Sequence, residues 1–88
     1  MIVCFLSLGS NIEDRYENIM MATSILSQTV GVHILKKSDI YESEAMYNEN
    51  LDKFYNSVLK INTKLNPKEL LKIIHNKSYH YYTIIFLN

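Results

Sequence analysis

The chain is poor in the residues that punctuate, staple or steer a protein. Its 88 residues include one cysteine, one proline and two glycines. The lone Cys4 excludes an internal disulfide, and with no partner ligands nearby it offers no zinc site. Set in an apolar run, it reads as inert core. No Pro-, Gly- or Ser-rich linker divides the chain and no internal repeat is visible, so one domain spanning residues 1–88 is expected. The formal net charge is zero, which gives no overall pull toward nucleic acid or a membrane surface. No run reaches the length of a membrane span, and the opening MIVCFLSLG lacks the basic start and the length of a secretory signal. A reduced cytoplasm is the expected location.

What the chain does have is apolar residues, which make up 48% of it, enough for one modest core. Charge is unevenly spread. From Lys53 onward six lysines (Lys53, Lys60, Lys64, Lys68, Lys72 and Lys77) face the single acid Glu69. A basic half can attract phosphates, but lysines spaced along a helix usually mean a solvated face.

The hydrophobic pattern divides the chain into six elements. Ile2–Leu8 is a short, nearly unbroken apolar run that suits a central strand, ended by Gly9-Ser10-Asn11. Gly9 allows a sharp turn or a close approach to a ligand, and Ser10 or Asn11 can cap the helix after it. From Asn11 or Asp14 to about Thr29, Tyr16, Ile19, Met20, Thr23 and Leu26 recur at the spacing of one helix face, with Met20 and Met21 read as core filler and Gly31 as the exit turn. Val32–Tyr41 is extended but interrupted by Lys36–Asp39, which predicts an edge strand or a bulge. Phe54–Ile61 alternates, with Tyr55, Ser57, Leu59 and Ile61 on one face and Phe54, Asn56, Val58 and Lys60 on the other. Asn66-Pro67-Lys68-Glu69 starts a helix to about Lys77, and YYTIIFL (81–87) reads as a last strand. The order β-α-β-β-α-β predicts an α+β, ferredoxin-like fold: an antiparallel sheet with two helices on one face.

Between two of these strands runs Tyr41–Val58, a connection too long for a plain hairpin. Long connections in small domains are usually working ones. At its far end Phe54 and Asn56 stand two apart on one strand face, an aromatic ring beside an amide. That pair is either a platform for a flat, hydrogen-bonding heterocycle or an exposed Phe and Asn on a sheet surface.

FLSLGSNIEDRYENI, then SDIYESEAMYNENLDKFYNSVLKI, then LNPKELLKII resemble, in order and spacing, the first half of the 6-hydroxymethyl-7,8-dihydropterin pyrophosphokinases of folate synthesis. Members of that family have a strand ending in Gly-Ser-Asn, a Tyr-x-Thr/Ser-x-Pro-like loop, an aromatic-x-Asn strand and a Pro-x-Glu-Leu-Leu helix. The resemblance implies transfer of the ATP pyrophosphoryl group to the hydroxymethyl oxygen of the dihydropterin, assisted by two magnesium ions. It implies that Asn56 reads the polar edge of the pterin, that Phe54 stacks on the ring, and that backbone around Ser43, Ala45 and Met46 adds edge contacts. Gly9 then lets the first strand approach the same pocket.

Departures from the family pattern shape the remaining expectations. Ala45 and Tyr47 stand where the family has Pro and Gly, and His75 and Ser78 where it has the Gln and Glu of its nucleotide contacts. No arginine follows Arg15 and no acid follows Glu69. If the last strand is laid on the family's Asp-x-Asp strand, the carboxylate positions fall at Tyr81 and Thr83. Residues 78–88 are therefore expected to be a divergent tail, with no magnesium ligand and no catalytic residue in this chain. ATP and Mg2+ enter by resemblance only, and pterin is the expected small-molecule partner. The expectation is a shortened pyrophosphokinase lacking turnover, with a non-catalytic pterin-binding or protein-interaction module as the alternative.

Overall fold

The computed structural model describes residues 2–12, 14–44, 53–77 and 83–87. Its element order is β1 (Ile2–Ser10), α1 (Arg15–Ser27), β2 (Val32–Lys37), β3 (Tyr41–Ser43), β4 (Phe54–Thr63), α2 (Pro67–Lys77) and β5 (Thr83–Leu87). The strands form one antiparallel sheet ordered β2-β4-β1-β5, with β3 pairing β4 beyond the end of β2. Counting β2 and β3 as one interrupted edge strand, this is the ferredoxin-like α+β arrangement expected from the sequence.

The two longest strands pair along the whole of β1, from Ile2↔Thr63 to Ser10↔Tyr55. This ladder is the spine of the sheet. Alternation along it sends Leu6 and Leu8 of β1 and Leu59 and Ile61 of β4 into the helix side, all fully buried. Ile19, Ala22 and Leu26 of α1, Val32 of β2 and Leu70 of α2 complete that core. The opposite face of the sheet carries Val3 and Phe5 of β1, 52% and 39% exposed, and the half-buried Val58, Lys60 and Asn62 of β4.

The interruption between β2 and β3 has a local cause. The register against β4 slips between Ile34 and Lys36, a bulge in the edge strand where interruption was expected. Ser38 then bridges the break: its backbone N–H donates to the Val58 carbonyl at 2.9 Å, and its Oγ accepts from the Val58 N–H at 2.8 Å. Gly31 makes the turn into β2 at φ 88°, and its carbonyl accepts from the Lys64 N–H and the Thr63 hydroxyl. At α2, Asn66 Oδ1 accepts from the Glu69 N–H at 2.9 Å, the cap its sequence predicts.

Three expectations around α1 need correction. Neither Ser10 nor Asn11 caps the helix: β1 runs on to Ser10, and Asp14 holds the cap position in the left-handed region (φ 66°) with no side-chain cap bond. The buried face is Asn18, Ile19, Ala22 and Leu26, so Tyr16, 52% exposed, lies off it. Met20 and Met21 are exposed rather than core filler. Asn18 displaces them because its Nδ2 donates to Ser10 Oγ at 3.0 Å and to the Ile12 carbonyl at 3.3 Å, which rotates the helix onto the end of β1. A polar side chain so satisfied is cheap to bury.

Candidate functional site

The site is built at one end of the sheet, on the face opposite the helices, where β1 and β3 end and β4 and β5 begin. Gly9 lies directly across from Asn56, Asn56 lies across from Tyr41 on its other side, and Ser43 lies across from Phe54. Residues directly opposite in an antiparallel ladder share a face. Four of the residues implied by resemblance, Gly9, Ser43, Phe54 and Asn56, therefore share one small platform. Ala45 and Met46 lie outside the described residues, as do Tyr47, Ser78 and Tyr81.

Gly9 is the tightest point. Its φ is not positive, so the backbone there is open to any residue, and what is particular is the space above it. A Cβ added at Gly9 would stand 3.2 Å from Asn56 Oδ1 and 3.4 Å from Phe54 Cδ1. The amide and the ring lean over the bare Cα from two sides, so of the sharp turn and the close approach that Gly9 allows, the structure has a close approach inside a strand, made by the protein's own side chains.

The amide of Asn56 is partly committed. Its Nδ2 donates to Ser43 Oγ at 2.7 Å, and the Tyr41 carbonyl stands 3.5 Å away, too far for a strong bond. Its Oδ1 accepts nothing among the described residues, which leaves an acceptor and most of a donor for a ligand. Ser43 thus sets which way the amide points.

A second cluster sits on the helix side of the same strand ends. Arg15, the sole arginine of the chain, stacks its guanidinium 3.8 Å from the centre of the Tyr55 ring. Its Nη1 donates to the Lys53 carbonyl at 2.6 Å and to Glu42 Oε2 at 3.2 Å. Lys53 Nζ stands 3.5 Å from Glu44 and 4.0 Å from Glu42. No motif in the sequence marks Arg15 for this role; the available signal was its solitude among lysines, since only a guanidinium combines a flat stacking face with several donors. A hollow of about 400 Å3 beside it is lined by Tyr16, Ile40, Tyr41, Glu42 and Tyr55, and another of about 270 Å3 reaches Lys37, Ser38 and Asp39; neither includes Gly9, Phe54 or Asn56.

The donor set for a divalent cation is thin. Magnesium takes hard oxygen ligands, usually carboxylates with water and phosphate. Among the described residues no three His, Cys, Asp or Glu side chains come together, and Glu42 and Glu44 are already engaged by Arg15 and Lys53.

Fold and site together define a ferredoxin-like α+β domain carrying an amide and an aromatic ring converging over a glycine at one end of its sheet. Compared with known proteins, the chain matches the 7,8-dihydro-6-hydroxymethylpterin-pyrophosphokinase family over residues 5–80, and it belongs to that family. It is 38% identical over 71 residues to the 2-amino-4-hydroxy-6-hydroxymethyldihydropteridine pyrophosphokinase of Bacillus subtilis, covering 81% of this chain and 42% of that protein. The enzyme of the same name from Aquifex aeolicus is 42% identical over 71 residues, 81% of this chain and 43% of that protein. The folic acid synthesis protein fol1 of Schizosaccharomyces pombe is 41% identical over 70 residues, 80% of this chain but 10% of that protein. The chain thus spans less than half the length of each of these relatives. Among the described residues no helix is long and apolar enough to cross a membrane.

Proposed function

We propose that this chain binds the ring of 6-hydroxymethyl-7,8-dihydropterin on the Gly9–Ser43–Phe54–Asn56 platform, and that the described residues do not themselves carry pyrophosphoryl transfer. The observation behind the binding half is the convergence of Asn56 Oδ1 and the Phe54 ring over the bare Cα of Gly9. A pterin is flat, and its pyrimidine edge offers N–H donors next to a carbonyl acceptor. Asn56 presents an acceptor and a donor side by side to such an edge, while Phe54 offers its face to the ring. Backbone of Ala45 and Met46 is assigned further edge contacts by the family resemblance.

The second half rests on charge. Pyrophosphoryl transfer needs metal ions bridging the phosphate oxygens and cations to stabilise the charge that spreads over them. The described carboxylates are scattered or paired, and the one arginine faces Glu42 and Tyr55 rather than the platform. ATP and magnesium accordingly belong to the proposal only as participants in the family's reaction. A second reading, a protein-interaction module, is favoured by the exposed Val3 and Phe5 on the same sheet face.

The test is titration of the folded chain with the dihydropterin, followed by the pterin's own fluorescence, for the natural sequence and for Asn56→Ala. Removing the amide leaves pterin polar groups unpaired, at a cost of about 1–3 kcal/mol, or about 5- to 150-fold in affinity. Equal affinity in the two proteins would discard the platform.

A further inference from the structure

We propose that Arg15 is a positioning residue for the pterin platform, acting from the far side of the sheet through Glu42, Lys53 and Ser43; the inference rests on the pterin-binding reading above. The platform depends on β3, which is three residues long, exposed throughout, and paired only with the first three residues of β4. Strands this short hold poorly by backbone pairing alone. Yet Ser43, the last residue of β3, fixes the Asn56 amide through a 2.7 Å hydrogen bond.

Arg15 supplies the missing hold. One nitrogen of its guanidinium bonds both the Glu42 carboxylate, on β3, and the Lys53 carbonyl, immediately before β4, while the plane rests on Tyr55. Glu42 and Tyr55 are directly opposite each other, and the next pair outward is Ser43 and Phe54. Side chains alternate across a strand, so a clamp on the first pair from the helix side fixes the second pair on the platform side without touching a ligand there. The Arg15 side chain is 26% exposed and its Glu42 partner 44%, so the ion pair alone holds little; the charge-assisted bond to the Lys53 carbonyl and the stacking on Tyr55 add the rest. Arg15 itself starts α1, and α1 packs on β1, β2 and β4. The clamp therefore ties the outermost strand to the rigid body of the domain.

The experiment is a double-mutant cycle on the whole chain, titrated with 6-hydroxymethyl-7,8-dihydropterin: natural sequence, Arg15→Ala, Ser43→Ala and the pair, with amide hydrogen exchange of each. Arg15→Ala should weaken pterin binding about tenfold and speed exchange in β3 while the β1–β4 ladder stays protected. Because Arg15 acts through Ser43, most of that loss should vanish in the Ser43→Ala background. Arg15→Lys, which keeps the charge near Glu42 but loses the flat fork, should fall between the natural protein and Arg15→Ala. Should Arg15→Ala fail to fold, Arg15→Lys carries the same cycle. Unchanged affinity in Arg15→Ala, or a loss that is the same with and without Ser43, would overturn the proposal while leaving the platform intact. A natural chain that does not bind the pterin would instead overturn the platform, and Arg15's role with it.

Discussion

Replacing Gly9 by alanine separates what the platform does for binding from what it does for folding. The added methyl would sit 3.2 Å from Asn56 Oδ1 and 3.4 Å from Phe54 Cδ1, so the amide or the ring must move by a few tenths of an ångström. The backbone itself does not object, because Gly9 is not at positive φ. On the stability side, Gly→Ala in a strand gains about 0.4–1 kcal/mol by restricting the unfolded chain. Against this stands the Asn56–Ser43 hydrogen bond, worth about 0.5–1.5 kcal/mol if the amide is turned out of place. The two nearly cancel. Since about 1 kcal/mol moves the melting temperature of a domain this size by about 4–8 °C, Tm should change by only a few degrees. Binding has no such compensation: the methyl pushes against both the amide that reads the pterin edge and the ring that stacks on it, and misaligns them. A loss of at least about 1.4 kcal/mol, or tenfold, is expected. Thermal melts paired with a pterin titration check both halves. A Gly9→Ala protein that binds like the natural one would show that the placement of Asn56 and Phe54 over Gly9 does not serve binding, and a fall in Tm beyond about 10 °C would show that these contacts serve packing instead.

Neighbouring positions on β4 should respond differently. Leu59→Ala, fully buried among Leu6, Leu8 and Ile61, should cost about 2–5 kcal/mol in urea unfolding, a large part of what so small a domain has. Val58→Ala, one residue away on the open face, should cost about 1 kcal/mol. Cys4 gives a pH-dependent outcome, because burial pushes its thiol above the ordinary value of 9.0. Its contribution to stability is intact below that value and drains away as pH climbs through the raised one. Alkylation by iodoacetamide at mildly alkaline pH should therefore be slower in the folded chain than in urea, and Cys4→Ser should flatten the alkaline limb of the stability profile.

Much of the fold was legible because burial is periodic along its central ladder. The alternation of Phe54–Ile61 assigned the core and open faces of β4 correctly, and the lysines and Ser38 near the sheet edge announced the break between β2 and β3. The start of α1 near Asp14 was legible, but the face it buries was not. Asn18 looks like a surface residue in sequence, and only its bonds to Ser10 and Ile12 turn the helix so that Tyr16 and Met20 face outward. At the candidate site, Phe54 and Asn56 could be paired by strand spacing, but their meeting with Gly9 depends on the register of β1 against β4. Ser43 reaches Asn56 only through the pairing of a three-residue strand, and Arg15 reaches its partners from residues 27 and 38 positions away. Long-range pairing of this kind leaves no local pattern to read.

The most direct test of the central claim is calorimetry of the purified chain with the dihydropterin alone, and again with magnesium and a non-hydrolysable ATP analogue. Saturable pterin binding, with no magnesium-dependent nucleotide binding, is what the platform and the scattered carboxylates predict. Tight magnesium-dependent nucleotide binding, or no pterin binding by a folded chain, would contradict it.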